Sequence, residues 1–534
     1  MTLPALSRPL VSTPRVSLPP ARLLVPALAV AALAALPIAY LLVRALGVDA
    51  AALELALRPR TGQILAASVM LGLAVGTGSI VLGLPLAWLT ARTDLPGRRA
   101  WSVLTVVPLA IPSYVMAFAF VAALGPRGAL SEVLRTLGLP GLPSLYGFGG
   151  AVLVLTLATY PYVVLGARAA LLRSDPSIEE AGRGLGDRPR TVFRRLTLPL
   201  LLPAVAAGAL LAVLYALADF GAVAILQFDS FARAIYVQYR ASFDRSLAAV
   251  LALMLIGVTL TVAWLESRVR QRVVTVPHAP RRPPAIVALG RWRWPALLFC
   301  GAIVTLALAV PAGTVLFWLL RGLAQGEPLR LLFGAAGGSL VGGSLAALLA
   351  AALALPVALL AVRHPGAVAN WIERILYGAY AVPGIVLALA AAVFVLNVAP
   401  LLYQGLLVLL LAYAIRFLPQ QVAPLRGSLL QINPRTLEAA RTLGDSPAVA
   451  FRRIYLPLLR PGLAAGMALV FLTTVKELPI TLLLAPPGFE TLATSIWGAA
   501  SEGFYARAAA PALMLMVLAG LTVGLLFRSE EARR

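Results

Sequence analysis

Long apolar runs separated by short polar stretches dominate the chain, and most runs reach the roughly 20 residues a helix needs to cross a hydrocarbon core of about 30 Å. In the first half these runs cover residues 22–44, 62–91, 101–124, 147–172, 201–220 and 247–265. In the second they cover residues 294–320, 334–362, 372–397, 402–425, 459–484 and 508–527. The pattern predicts an all-α polytopic membrane protein with about 12 transmembrane helices. The first run begins near Leu23 and continues past Leu41, longer than a signal-peptide core and without a convincing cleavage site, so it reads as a membrane anchor.

The polar stretches are patterned as well. EAGRGLGDRPRTVFRRLTLP, residues 180–199, returns 258 residues later as EAARTLGDSPAVAFRRIYLP, residues 438–457, with twelve of twenty positions identical. The same offset pairs Pro161 with Pro419, Arg168 with Arg426 and Asp219 with Glu477. Further upstream the offset becomes 271, pairing Pro85 with Pro356, Arg92 with Arg363 and Pro112 with Pro383; the difference of 13 residues belongs to an outer loop of the first half. Six spans per half give both copies the same orientation, hence parallel repeats about a pseudo-twofold axis along the membrane normal, enclosing a central path. The expected division is a first half over 1–267 with its loop at 177–199, an Arg/Pro-rich cytoplasmic linker over 268–290, and a second half over 291–534 with its loop at 435–457.

Each loop has the grammar of a short helix, a break at Gly186 or Gly444, and a second short helix. Asp187 or Asp445 is the expected N-cap of that second helix, with Pro189 or Pro447 in its first turn. The pairs Arg194–Arg195 and Arg452–Arg453 follow, and Pro199 and Pro457 mark re-entry into the membrane.

Composition narrows the classes. At 60% hydrophobic and 12% charged, with mean hydropathy +0.91, the chain is no ordinary soluble domain. Its net charge of +23 lies in arginines beside apolar runs, which read as topology signals with both termini cytoplasmic rather than as a nucleic-acid footprint. The single lysine, Lys476, follows Val475, so no GxxxxGK[ST] phosphate loop exists and the chain is not expected to bind or hydrolyse ATP itself. Cys300 lies in an apolar run, and His278 and His364 are far apart, so neither a disulfide nor a metal site is indicated, and no catalytic constellation gathers near one membrane face.

Asp219 and Glu477 lie twenty residues after Pro199 and Pro457, about 30 Å of helix, near the outer ends of equivalent spans beside the axis. Acidic residues at such depth are candidates for the translocation path or its gate. Two structural roles stay open beside substrate contact: bonding a broken helix end near Gly221 or Pro479, or, for Glu477, pairing with Lys476. Arg416, whose counterpart is Ala158, is expected to bridge to an acidic residue of a neighbouring span. Tyr160, like Tyr114 and Tyr236, is a further candidate for the path, the alternative being the membrane interface, where tyrosine is also common.

The order EAA, three residues, G, nine residues, I-x-L-P resembles the signature of permease subunits of binding-protein-dependent ABC importers. Residues 438–457 fit it at every position; the first copy has Gly182 for the second alanine and Leu196 for the isoleucine. Gly182 weakens its helix by about 1 kcal/mol. The resemblance implies that Glu180, Ala181, Gly186, Asp187, Arg194, Arg195 and Pro199, with Glu438, Ala439, Gly444, Asp445, Arg452, Arg453 and Pro457, form two loops that dock into a cytoplasmic ATPase. It further implies two copies of that ATPase, which would bind ATP and Mg, an extracytoplasmic substrate-binding protein, and residence in a bacterial inner membrane. No cofactor would belong to this chain. Two fused halves carrying PLAIPSYVMAFAF, LADFGAVAILQFDSFARAIYVQYRASFDRSLAA and KELPITLLLAPPGFETLATSIW look like the ferric-iron uptake permeases. Fused thiamine permeases share the architecture and are the alternative. An ion-coupled secondary transporter would also allow twelve spans but leaves the doubled loop unexplained.

Overall fold

The computed structural model describes residues 19–531 apart from 48–49, 127, 129–130, 132–134, 139–143, 242–245, 272–285, 328–329, 434–435, 437–439 and 441. Glu438 and Ala439, and most of the expected linker, fall outside the described residues. Among the described residues the fold is helical throughout, with one isolated bridge between Thr93 and Val287.

The first half runs α1 (Ala21–Leu46), α2 (Pro59–Arg92), the pair α3 (Arg98–Ala110) and α4 (Ser113–Leu124), α5 (Phe148–Arg173), the short α6 (Pro176–Gly184), α7 (Pro189–Ala218), the short α8 (Gly221–Ile225) and α9 (Ser246–Gln271). The second half runs α10 (Gly290–Ala324), α11 (Arg330–Arg363), the pair α12 (Ala367–Ala381) and α13 (Gly384–Val398), α14 (Leu406–Leu430), α15 (Phe451–Val475), the short α16 (Pro479–Leu484) and α17 (Tyr505–Glu531). Ten of these are long and apolar enough to cross a bilayer unaided.

The third and ninth expected spans are not straight. α3 meets α4 at 96° and α12 meets α13 at 105°. Both breaks fall before the paired prolines Pro112 and Pro383, where Ile111 and Val382 are extended with ψ of 121° and 132°. Proline crowds the residue before it out of the helical region. Position in the fold also matters, because Pro85, Pro161 and Pro203 lie within unbroken helices.

In each half the same three helices pack into a triangle, α2 with α5 and α7, and α11 with α14 and α15. The first helix of each half crosses over. α1 lies on α11, α12 and α13, burying Ala27, Ala31 and Ala34 beside Ala347, Ala350 and Ala354. Lipid is as apolar as leucine, so close approach of small residues, rather than expulsion of apolar surface, drives such association. α10 lies on α4 and α17, where the Trp318 indole N–H donates to the Ala122 carbonyl at 3.1 Å. The halves are consecutive in sequence, yet each holds the other's first helix.

Candidate functional site

Over the residues described in both, the two repeated loops share a glycine turn and a second helical piece that begins at proline. α6 starts with Pro176 at its first position, and its N-cap Asp175 accepts from the Ser177 N–H at 2.9 Å, which holds that exposed carboxyl below the usual range. It ends at Gly184, and the turn that follows is made at Gly186, whose φ of +89° is matched by +92° at Gly444; a side chain would strain either turn. The second helical piece starts at Pro189 and Pro447, but the aspartates do not cap it. Proline takes the first helical position, so the cap falls one residue after the aspartate, on Arg188 and on Ser446, whose hydroxyl accepts from the Val449 N–H at 3.4 Å. Asp445 instead faces Arg453 at 3.9 Å.

Nor does a separate short helix precede membrane re-entry. The chain runs as one helix, α7, that contains a π turn at Phe193–Thr197, and α15 opens on its own π turn at Phe451–Tyr455. Arg194, Arg195, Arg452 and Arg453 ride on these π turns, and Pro199 and Pro457 lie in the first turn of the α-helical geometry that follows. α7 is therefore a rod of 30 residues, about 45 Å, from the loop to Asp219.

At the turn of each loop stands a residue that pattern reading missed. Leu185 is 88% exposed and Leu443, its counterpart at the 258-residue offset, 87%. An apolar side chain repeated immediately before the turn glycine, between polar residues, was the available signal.

At the far ends of the rods lie the two acidic residues. Asp219 follows α7 and accepts from the N–H groups of Ala222 and Val223 at 2.9 and 3.3 Å, capping α8, and from the Ser113 hydroxyl at the start of α4. Glu477 follows α15 and accepts from the Ile480 N–H at 3.4 Å at the start of α16. Its partner across the gap is Arg416 of α14 at 3.7 Å, whose guanidinium also donates to the Val382 carbonyl at 2.7 Å. Lys476 turns away from Glu477 and donates to the Leu109 carbonyl of the first half at 3.2 Å. Both cations thus meet backbone carbonyls next to the breaks, where the last turn of a helix carries partial negative charge.

The two halves solve one problem with different residues. Ser113 has Gly384 as its counterpart, and a Cβ there would lie 2.7 Å from Glu477 Oε1 and 3.3 Å from Arg416 Cζ. The missing side chain admits the arginine that Ala158 lacks. The halves touch at this level, since a Cβ on Gly221 would meet Leu478 at 3.2 Å. Tyr160 is fully buried in the helix packing of the first half.

Comparison with known proteins agrees with this geometry. The pattern of the binding-protein-dependent transport system inner membrane component matches twice, over residues 79–275 and 330–530. The Fe(3+)-transport system permease protein FbpB 2 of Haemophilus influenzae is 33% identical over 481 residues, covering 89% of this chain and 91% of that protein. The ferric transport system permease protein FbpB of Actinobacillus pleuropneumoniae is 26% identical over 487 residues, covering 85% and 69%. The molybdenum transport system permease protein ModB of Escherichia coli is 33% identical over 159 residues, only 29% of this chain. With two matches joined in one polypeptide of paired helical halves, the chain belongs to the inner-membrane components of binding-protein-dependent transport systems, as a multi-pass permease with both halves fused.

Proposed function

We propose that this permease imports ferric iron, received from an extracytoplasmic binding protein and driven by two copies of a cytoplasmic ATPase docked on its two loops. The cargo rests on the names of the relatives that cover most of the chain. The engine rests on one observation: two exposed loops of matched backbone, each presenting a leucine at its turn and each continuous with a rod that ends at an acidic helix break. An exposed apolar residue at such a turn suits insertion into a partner's pocket. One chain supplies both loops, so the expected complex is one permease with two ATPase subunits, with 1–267 and 291–534 as the half-transporters and both termini cytoplasmic.

The mechanism follows from the rods. ATP-driven closure of the ATPase pair brings the two loops toward each other, and α7 and α15 carry that displacement to Asp219 and Glu477. There the ends of α8 and α16 and the contact of Gly221 with Leu478 lie between the halves, so movement of the rods opens or closes the path. The capped carboxylates hold the backbone at the breaks while this happens.

The test is the double variant Leu185→Asp, Leu443→Asp, co-expressed with the ATPase in membrane vesicles. The variant should insert normally, lose ATPase co-purification, and lose ATP-dependent uptake of ferric iron from the loaded binding protein. Uptake by the wild-type chain without any ATPase, or full co-purification with the variant, would refute the reading.

A further inference from the structure

One buried node in the first half is not accounted for by docking or by the path. Arg92, the last residue of α2, is 3% exposed. Its guanidinium donates to Glu179 Oε2 at 2.5 Å and to the Ser174 hydroxyl at 3.0 Å, just past the end of α5. The other carboxylate oxygen of Glu179 accepts from the Thr197 hydroxyl at 3.0 Å, on the π turn within α7. Glu179 itself belongs to α6, the first helix of the docking loop. The Arg92 carbonyl accepts from the Val287 N–H at 2.7 Å, on the segment that enters the second half. The Arg92–Glu179 pair therefore gathers α2, the end of α5, α6 and α7, with Arg183 of α6 a more distant second cation at 3.7 Å from Glu179, while the Arg92 backbone separately holds Val287. Arg92 and Glu179 are 87 residues apart, so nothing in the local chain requires the contact.

The second half ties its loop by other chemistry. The counterpart of Arg92 is Arg363, the last residue of α11, and it lies 4.8 Å from the ring centre of Tyr455. Tyr455 occupies the place of Thr197, and Leu437 the place of Glu179. Position for position, an arginine at the end of the second helix reaches the π turn below the loop in both halves, through a carboxylate in one and over an aromatic face in the other.

We propose that Arg92 and Arg363 are positioning residues of transport, which fasten each docking loop to the helix α2 or α11 so that displacement of the loop moves that helix and not α7 or α15 alone. The Arg92–Glu179 pair is the fastening of the first loop. A buried ion pair contributes little net stability compared with apolar packing, and its retained use is to fix one arrangement. Here it fixes the loop against a helix that the chain itself does not connect to it.

The inference rests on the reading of the loops as docking elements, and two measurements on Glu179→Gln separate its failure from failure of that reading. Hydrogen exchange on the full chain in lipid nanodiscs needs no ATPase. In the variant, amides 177–184 should exchange about tenfold faster than in the wild type, while those of α15 stay unchanged. Vesicles holding the complex with its ATPase then give iron taken up per ATP hydrolysed. That ratio should fall at least about fivefold while ATPase co-purification and hydrolysis persist. Unchanged exchange at 177–184 overturns the fastening, and a faster exchange with an unchanged transport ratio overturns its role in transport. If the wild-type complex transports nothing, the docking reading falls together with the transport role, and the exchange result still decides the fastening.

Discussion

Replacing Arg416 tests the asymmetric construction of the second helix break. The pair Arg416–Glu477 is largely buried, with side chains 14% and 11% exposed. At 3.7 Å and an effective dielectric constant of about 20, its Coulomb attraction is about 4.5 kcal/mol. Arg416→Ala leaves the carboxylate buried without its counter-charge, a change of about 3–5 kcal/mol in comparable sites. In the first half a serine does the arginine's work, with Ser113 donating to Asp219. Gly384→Ser puts a hydroxyl at the equivalent place. In the wild type that serine collides with Glu477 and Arg416, its Cβ falling 2.7 Å from Oε1, so it should destabilise. In the Arg416→Ala background the guanidinium contacts at 3.3 and 3.4 Å are gone, and the Glu477 carboxylate, no longer held by Arg416, is free to turn out of the 2.7 Å contact and accept from the new hydroxyl, which returns about 1.5–3 kcal/mol. The serine should therefore change sign, harmful alone and restorative in the double variant, a coupling that a double-mutant cycle isolates. Unfolding in mixed detergent micelles supplies the four stabilities. A Gly384→Ser effect of the same sign and size in both backgrounds would refute the reasoning.

Two further outcomes follow from the helix breaks. Asp219→Ala removes the cap of α8, at about 1–2 kcal/mol, and should abolish iron uptake while ATPase co-purification stays at the wild-type level; Asp219→Asn, which can still accept from the Ala222 N–H, should recover part of the uptake. Lys476 is the sole lysine, and its amine meets the Leu109 carbonyl of the other half. An amine-reactive label should modify it slowly in the resting protein and faster during ATP-driven cycling, and equal rates in both states would show that the contact does not open.

How much of this was legible from the chain depends on the range over which the physics acts. Apolar length set the spans, because each helix must satisfy its own backbone in lipid and the bilayer fixes how long it must be. The twofold repetition of residues 180–199 and 438–457, with Asp219 and Glu477 at fixed distances beyond, disclosed the parallel halves and the continuity of loop and rod. The glycines at 186 and 444 announced the turns because few other residues adopt a positive φ there. Asp187 and Asp445 were misread as caps by one residue, since the proline, not the acid, decides where the helix starts.

Packing decided the remainder. Helices apolar on every side carry no stripe to say which face meets lipid and which meets protein, so the crossing of α1 and α10 into the opposite halves had no periodic signal. Nor did proline alone mark the two bent pairs, since Pro85, Pro161 and Pro203 lie within intact helices. The choice of Arg416 over Lys476 as the partner of Glu477 depended on an empty Cβ position at Gly384, and the partnership of Arg92 with Glu179 on the meeting of four helices. The sequence by itself determined a fused pair of membrane halves, each with its copy of one repeated polar loop, because length, hydropathy and repetition act locally along the chain. Only the tertiary structure decided which charge neutralises which, because inside a membrane protein that depends on a few ångströms of space between helices distant in sequence.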